Sequence, residues 1–101
     1  MMELHVCNQE GDVLRAYALG DSEEVVIGRD AHCDIRITSS SVSREHCAVE
    51  WQGRSLVLRD LGSTGGTYAD GSRLDQIELR DGMEIKVGPA ILKFLDGEGS
   101  P

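Results

Sequence analysis

The amino-acid sequence predicts an all-β domain, an antiparallel β-sandwich of short strands, and three observations carry that reading. Apolar residues recur with period two, the spacing of half-buried strands, and nowhere with the 3.6-residue period of an amphipathic helix. Clusters of Gly, Asp and Ser interrupt the alternation roughly every eight to twelve residues, which is the rhythm of a sandwich or barrel. No long stretch carries a helical pattern, and there is no internal repeat or low-complexity run.

Taken in order, Leu4 and Val6 mark the first strand, and the polar stretch 8–12 ends it. Val25 and Ile27 mark the next, after a turn at 20–22, and Ile35 and Ile37 alternate around Arg36. Val49 with Trp51 and Leu56 with Leu58 flank Gly53. Thr67-Tyr68-Ala69 and Ser72-Arg73-Leu74 flank Asp70-Gly71, a dipeptide that readily takes the positive backbone angles of a tight hairpin turn. Ile85 and Val87 follow the turn at Asp81-Gly82, and Leu92 and Phe94 close the pattern. A chain of 101 residues supports one core, so residues 1–95 are expected to form a single sandwich domain and 96–101, polar and Gly-rich, a flexible tail.

The formal net charge of -8 repels polyanions, so neither nucleic acid nor an anionic membrane surface is an expected partner. Eight of the ten basic residues are Arg, which suits recognition of a phosphate or carboxylate at a point, through bidentate hydrogen bonds, better than a broad basic stripe. Cys7, Cys33 and Cys47 are an odd number without a Cys-x-x-Cys pair, and no secretory signal precedes them, so a reducing, cytoplasmic setting is expected. No apolar run approaches bilayer-spanning length, so membrane insertion is not expected. The chain reads as part of a larger protein.

Docking a phosphoryl dianion requires several donors aimed at one point, at least one of them cationic, to replace the hydration that the anion gives up. Arg29 and Ser43 are candidates for that work. Catalytic readings find little support. The Gly-rich segment 62–66 lacks the Lys-Ser/Thr ending of a nucleotide-binding P-loop, and there is no Gly-x-Ser-x-Gly elbow. His46 and Cys47, adjacent on a strand, point to opposite faces and cannot form a nucleophile-base dyad. His5 and Cys7, His32 and Cys33, and His46 and Cys47 lie close in sequence without metal-ligand spacing. No enzyme activity, metal or cofactor is therefore expected.

The segments Ile27-Gly28-Arg29, Asp34-Ile35, Ser43-Arg44-Glu45-His46, Leu61-Gly62-Ser63-Thr64-Gly65-Gly66-Thr67 and Asp70-Gly71 stand in the order and at the approximate spacing of one family's signature. From about Val25 to Phe94 the chain resembles the forkhead-associated (FHA) domain. The resemblance implies a sandwich whose ligand loops gather at one end and read phosphothreonine in a partner protein. Arg29 and Ser43 match the positions that hydrogen-bond the phosphate, and Thr64 and Gly65 match the loop that meets the phosphopeptide. Arg44 faces the same mouth in this reading, and Arg73 tunes neighbouring positions.

Gly28, Asp34, His46 and Gly66 match structural positions of the motif. Gly28 is expected to let the strand end and turn where a side chain would obstruct, Asp34 to fix the loop carrying Arg29, and His46 to hydrogen-bond within the domain. Gly65 and Asp70 both stand where the family has Asn. Gly65 offers only backbone groups, and the Asp70 carboxylate would repel a nearby phosphate. These departures keep a second reading open, a domain of the same fold that serves as a phosphate-independent scaffold, as some relatives in bacterial secretion machines do.

Overall fold

The computed structural model describes residues 2–20 and 24–97. Eleven strands follow in chain order: β1 (Met2–Cys7), β2 (Val13–Ala18), β3 (Glu24–Gly28), β4 (Ile35–Arg36), β5 (Cys47–Gln52), β6 (Ser55–Asp60), β7 (Thr67–Ala69), β8 (Ser72–Arg73), β9 (Gln76–Glu78), β10 (Glu84–Val87) and β11 (Ala90–Asp96). They form a six-stranded sheet in the order β2-β1-β11-β10-β7-β8 and a five-stranded sheet in the order β4-β3-β5-β6-β9. The all-β sandwich expected from the alternation is the fold observed, and every pairing is antiparallel except the short parallel contact of β3 with β4.

The alternating residues are those that meet between the sheets. Leu4, Ile85, Val87, Leu92 and Phe94 from one sheet pack in a cluster with Ile27, Ile35, Val49 and Leu58 from the other, and all are nearly or wholly inaccessible. Burying each such side chain contributes about 1.5–3 kcal/mol, which sets the pairing register, because a slip by one residue would turn this whole set to solvent. Trp51 departs from the pattern. It lies across from Leu56 at the rim, 37% exposed, and its indole N–H donates to the Gly20 carbonyl at 2.9 Å.

The strand β2 was not legible in the alternation, because it is an edge strand with Val13 54% and Leu14 61% exposed. It exists through its pairing with β1, which carries an irregularity between Val6 and Cys7. Arg15 donates from its guanidinium to the Arg36 carbonyl and so ties this edge to β4 on the other sheet. At the Asp70-Gly71 turn the expected positive angles are present, φ 50° and 79°. β11 runs through Asp96, one residue into the expected tail, and 98–101 lie outside the described residues, as do 21 and 22 of the expected turn. Among the described residues no helix is long and apolar enough to cross a membrane.

Candidate functional site

Three connections converge at one end of the sandwich: 29–34 after β3, 37–46 before β5, and 61–66 after β6. Backbone contact joins the first two. The Arg29 amide donates to the Ser43 carbonyl at 2.9 Å and the Asp30 amide to the Arg44 carbonyl at 3.1 Å. Gly28 is what allows this approach. A Cβ at Gly28 would sit 2.1 Å from the Arg44 carbonyl oxygen, so any larger residue would drive the two loops apart. The φ of Gly28 is not left-handed, so what the position requires is the absence of a side chain that would obstruct the neighbouring chain.

Arg29 and Ser43 are oriented by these contacts. Arg29 is exposed, and its Nε donates to the Val42 carbonyl at 2.9 Å, which fixes the fork while its terminal nitrogens stay unengaged among the described residues. Ser43 is half-buried, and its Oγ accepts from the Thr64 amide at 3.0 Å. With the oxygen accepting, the hydroxyl hydrogen is left to donate outward. Thr64, Gly65 and Arg44 are exposed at the same end, Arg44 through its side chain while its carbonyl is held from within.

His46 joins all of this to the third loop. The ring is fully buried, Nδ1 accepts from the Ser43 amide at 3.1 Å, and Nε2 lies 2.9 Å from the Gly66 carbonyl. Because Nδ1 accepts, the ring proton sits on Nε2 and is donated to Gly66. Gly66 itself has φ +87°, and a Cβ there would meet the Tyr68 ring at 2.9 Å. Gly65 has no left-handed φ, and a Cβ there would lie 3.1 Å from the Ser41 carbonyl.

Asp60, which sequence reasoning did not single out, holds the third loop together. Its Oδ2 accepts from the amides of Gly62 and Ser63, both at 3.0 Å, and its Oδ1 from the hydroxyls of Ser63 at 2.6 Å and Thr67 at 2.7 Å. Burial opposes the charge, yet these donors hold the carboxyl below the usual carboxylate range. The signal was present as an Asp two residues ahead of a Gly, the pattern of an Asx turn. Arg73 completes the loop by donating to the Ser63 carbonyl at 3.1 Å, so it serves here as a strut.

The Asp34 carboxylate accepts from the Val26 amide at 2.8 Å, which ties the end of the 29–34 connection back to β3. His32, exposed, lies 2.6 Å from Glu45 and 3.1 Å from Asp30, bridging the first two loops. The hydrogen bond to Glu45, then that to Asp30, raises its pKa. Burial pushes the thiols of Cys33 and Cys47 up, and Cys33 Sγ donates to the Arg44 carbonyl at 3.0 Å. All three cysteines are free and buried. The arrangement presents a fixed cationic fork and a hydroxyl donor at one end of the sandwich, with the Cys33 thiol beside them donating to the Arg44 carbonyl.

A family model described as FHA domain matches residues 25–88. The chain is 34% identical over 74 residues to the FHA domain-containing protein FhaA of Mycobacterium tuberculosis, covering 73% of this chain and 14% of that protein. The solved FhaA FHA domain complexed with the intracellular domain of Rv3910 superposes with a TM-score of 0.81 at 29% identity, over 93% of this chain and 99% of that one. A structure described by its phosphothreonine-dependent FHA domain interactions superposes with a TM-score of 0.82 at 28% identity, over 94% of this chain and 95% of that one. With its family signature spread over three interlocked loops and these likenesses in sequence and fold, the chain belongs to the FHA domain family.

Proposed function

We propose that this domain is a non-catalytic reader of phosphothreonine in a partner protein, a module for phosphorylation-dependent protein-protein interaction. The observation that carries the reading is the convergence of Arg29 and Ser43, both held by bonds from neighbouring loops with donors left over at the same mouth. Arg29 supplies the charge and Ser43 the neutral donor, while Thr64 and Gly65 form the lip along which the peptide runs, with Arg44 beside it. The phosphothreonine-dependent interactions described for a structurally similar FHA domain support the same reading. Its buried free thiols suit a reducing, cytoplasmic setting, and a chain that matches 14% of FhaA suits a module of a longer protein.

Titration calorimetry with a phosphothreonine peptide library and its unphosphorylated counterparts tests the proposal. Binding is expected only with the phosphorylated forms. Arg29→Ala removes a charge-assisted hydrogen bond of about 1.5–3 kcal/mol, so it is expected to weaken binding by about ten- to a hundredfold without unfolding the domain. Equal affinity for phosphorylated and plain peptides overturns the proposal. Gly65, bare of a side chain at the ligand lip, favours the second reading of a phosphate-independent scaffold, which would follow if folded protein bound none of the phosphopeptides.

A further inference from the structure

Each sheet of the sandwich ends in two edge strands, and β2 stands apart from the other three. β4 and β8 are two residues long and β9 is three, β9 ending on Glu78 and β8 on Arg73, which is already bound to the Ser63 carbonyl. β2 offers six residues at the edge of the six-stranded sheet, Val13–Ala18, with no acidic residue, Lys or Pro among them and with Val13 and Leu14 largely in solvent. Short length, charge and proline are the devices that keep an edge from pairing with another chain, and this edge lacks them. Its one cation does not guard it. Arg15 turns toward the other sheet, donates to the Arg36 carbonyl and lies over the Tyr17 ring, 5.9 Å from its centroid. The irregularity between Val6 and Cys7 falls at the start of the strand and leaves 15–18 in regular register with β1. The backbone pattern then tells which groups are free. Next to the Glu3–Ala18 pair, Leu19 donates from its amide to the Met2 carbonyl at 3.0 Å. Bonded pairs alternate along an antiparallel ladder, so Tyr17 and Arg15 also turn their backbone groups toward β1, and Ala16 and Ala18 turn theirs outward. Among the described residues no other strand pairs with them.

We propose that β2 pairs antiparallel with β2 of a second copy of this chain, joining the two six-stranded sheets about a two-fold axis at Ala16. An antiparallel strand meets itself with the same patch on both sides, which is what a closed dimer requires. With the axis there, the two Ala16 residues exchange both backbone bonds, Leu14 lies against Ala18 of the second copy, and Arg15 lies against Tyr17 of the second copy. An axis at Arg15 would set two guanidinium groups opposite each other, and one at Tyr17 would leave Val13 and Leu14 beyond the paired strand. Charge selects the same edge. A net charge of -8 makes the chain repel its own copy over most of its surface, but β2 carries no carboxylate, and the flanking Glu3 and Asp12 are engaged by His5 at 3.0 Å and by Asn8 at 3.2 Å. β2 begins near the ligand loops, since Cys7 pairs with Val13 and with Ile91, and Ile91 follows the Gly88 turn, at which a Cβ would meet Ser41 and Val42. Antiparallel pairing therefore points the two ligand ends in opposite directions, and the contact covers neither.

Sedimentation velocity of the 101-residue chain without any peptide tests this independently of the phosphothreonine reading. One strand pair is a small interface, so the weight-average sedimentation coefficient is expected to climb from the monomer toward the dimer between about 20 μM and 1 mM. Over the same range, hydrogen exchange of the Ala16 and Ala18 amides is expected to slow, while that of Tyr17, already bonded to β1, stays constant; this measurement needs no variant. Ala16 is exposed, and A16K and A16E each set two like charges at the axis, so each is expected to weaken association by about tenfold or more. An equimolar mixture of the two variants is expected to associate more tightly than either alone, because the charges at the axis are then opposite. A monomer at every concentration, or Ala16 and Ala18 amides whose exchange does not change with concentration, overturns the proposal. So does association that A16K and A16E leave intact, or a mixture no tighter than its components.

Discussion

Among single residues, His46 and Gly28 do the most for the site without facing a ligand. His46 spans two loops with two ring nitrogens in opposite roles, accepting from Ser43 and donating to Gly66. Removing the ring leaves a buried amide and carbonyl without partners and opens a cavity, so His46→Ala is expected to cost about 2–4 kcal/mol. For a domain of this size that lowers the thermal midpoint by about 10–25 °C, and the amide resonances of Ser43, Thr64 and Gly66 are expected to move together. An unchanged melt with an unaltered loop spectrum would show that the ring is no strut. Ser43, in turn, is set by backbone, by His46 and by Thr64, so its hydroxyl is placed before any ligand arrives, which lowers the entropy lost on binding.

The loops, as elements, differ in how they are held. The 61–66 connection is organised around one carboxylate, Asp60, which takes four donors from within its own turn and the strand that follows. Its pKa is depressed on folding, so the stability it contributes is present above the unfolded value of about 3.9 and is lost as pH falls through the lower folded value. Asp60→Asn removes the charge and turns one oxygen acceptor into a donor facing other donors. The variant is expected to be less stable at neutral pH by about 2–4 kcal/mol and to show a shallower loss of stability below pH 4 than wild type. Chemical denaturation across that pH range checks both, and parallel acid limbs for the two proteins would refute the assignment. The first two loops are instead tied by backbone bonds, by Arg29 Nε and by the exposed His32 bridge between Asp30 and Glu45.

Across the whole molecule one core holds both sheets, with buried side chains from β1, β10 and β11 meeting those of β3, β5 and β6. Phe94, wholly inaccessible on β11, is expected to cost about 3–5 kcal/mol when replaced by Ala. Since domains of this size are stable by about 5–15 kcal/mol, a single cooperative transition at a markedly lower denaturant midpoint is the expected result, and a shift of the midpoint too small to measure would refute it. The sequence by itself determined the fold class, most of the strands and the hairpin turn at Asp70-Gly71, because one-sided burial writes a period of two into the chain and left-handed turns demand particular residues. It also marked Arg29, Ser43 and Thr64 as a set through family spacing. Only the tertiary structure decided the rest. β2 is written in no pattern because its side chains stay largely in solvent, and the parallel β3–β4 contact depends on where a loop returns the chain. The need for Gly28 comes from Arg44, and Asp34 reaches back to Val26, so these roles rest on contacts between residues that are apart in sequence and carry no local signal.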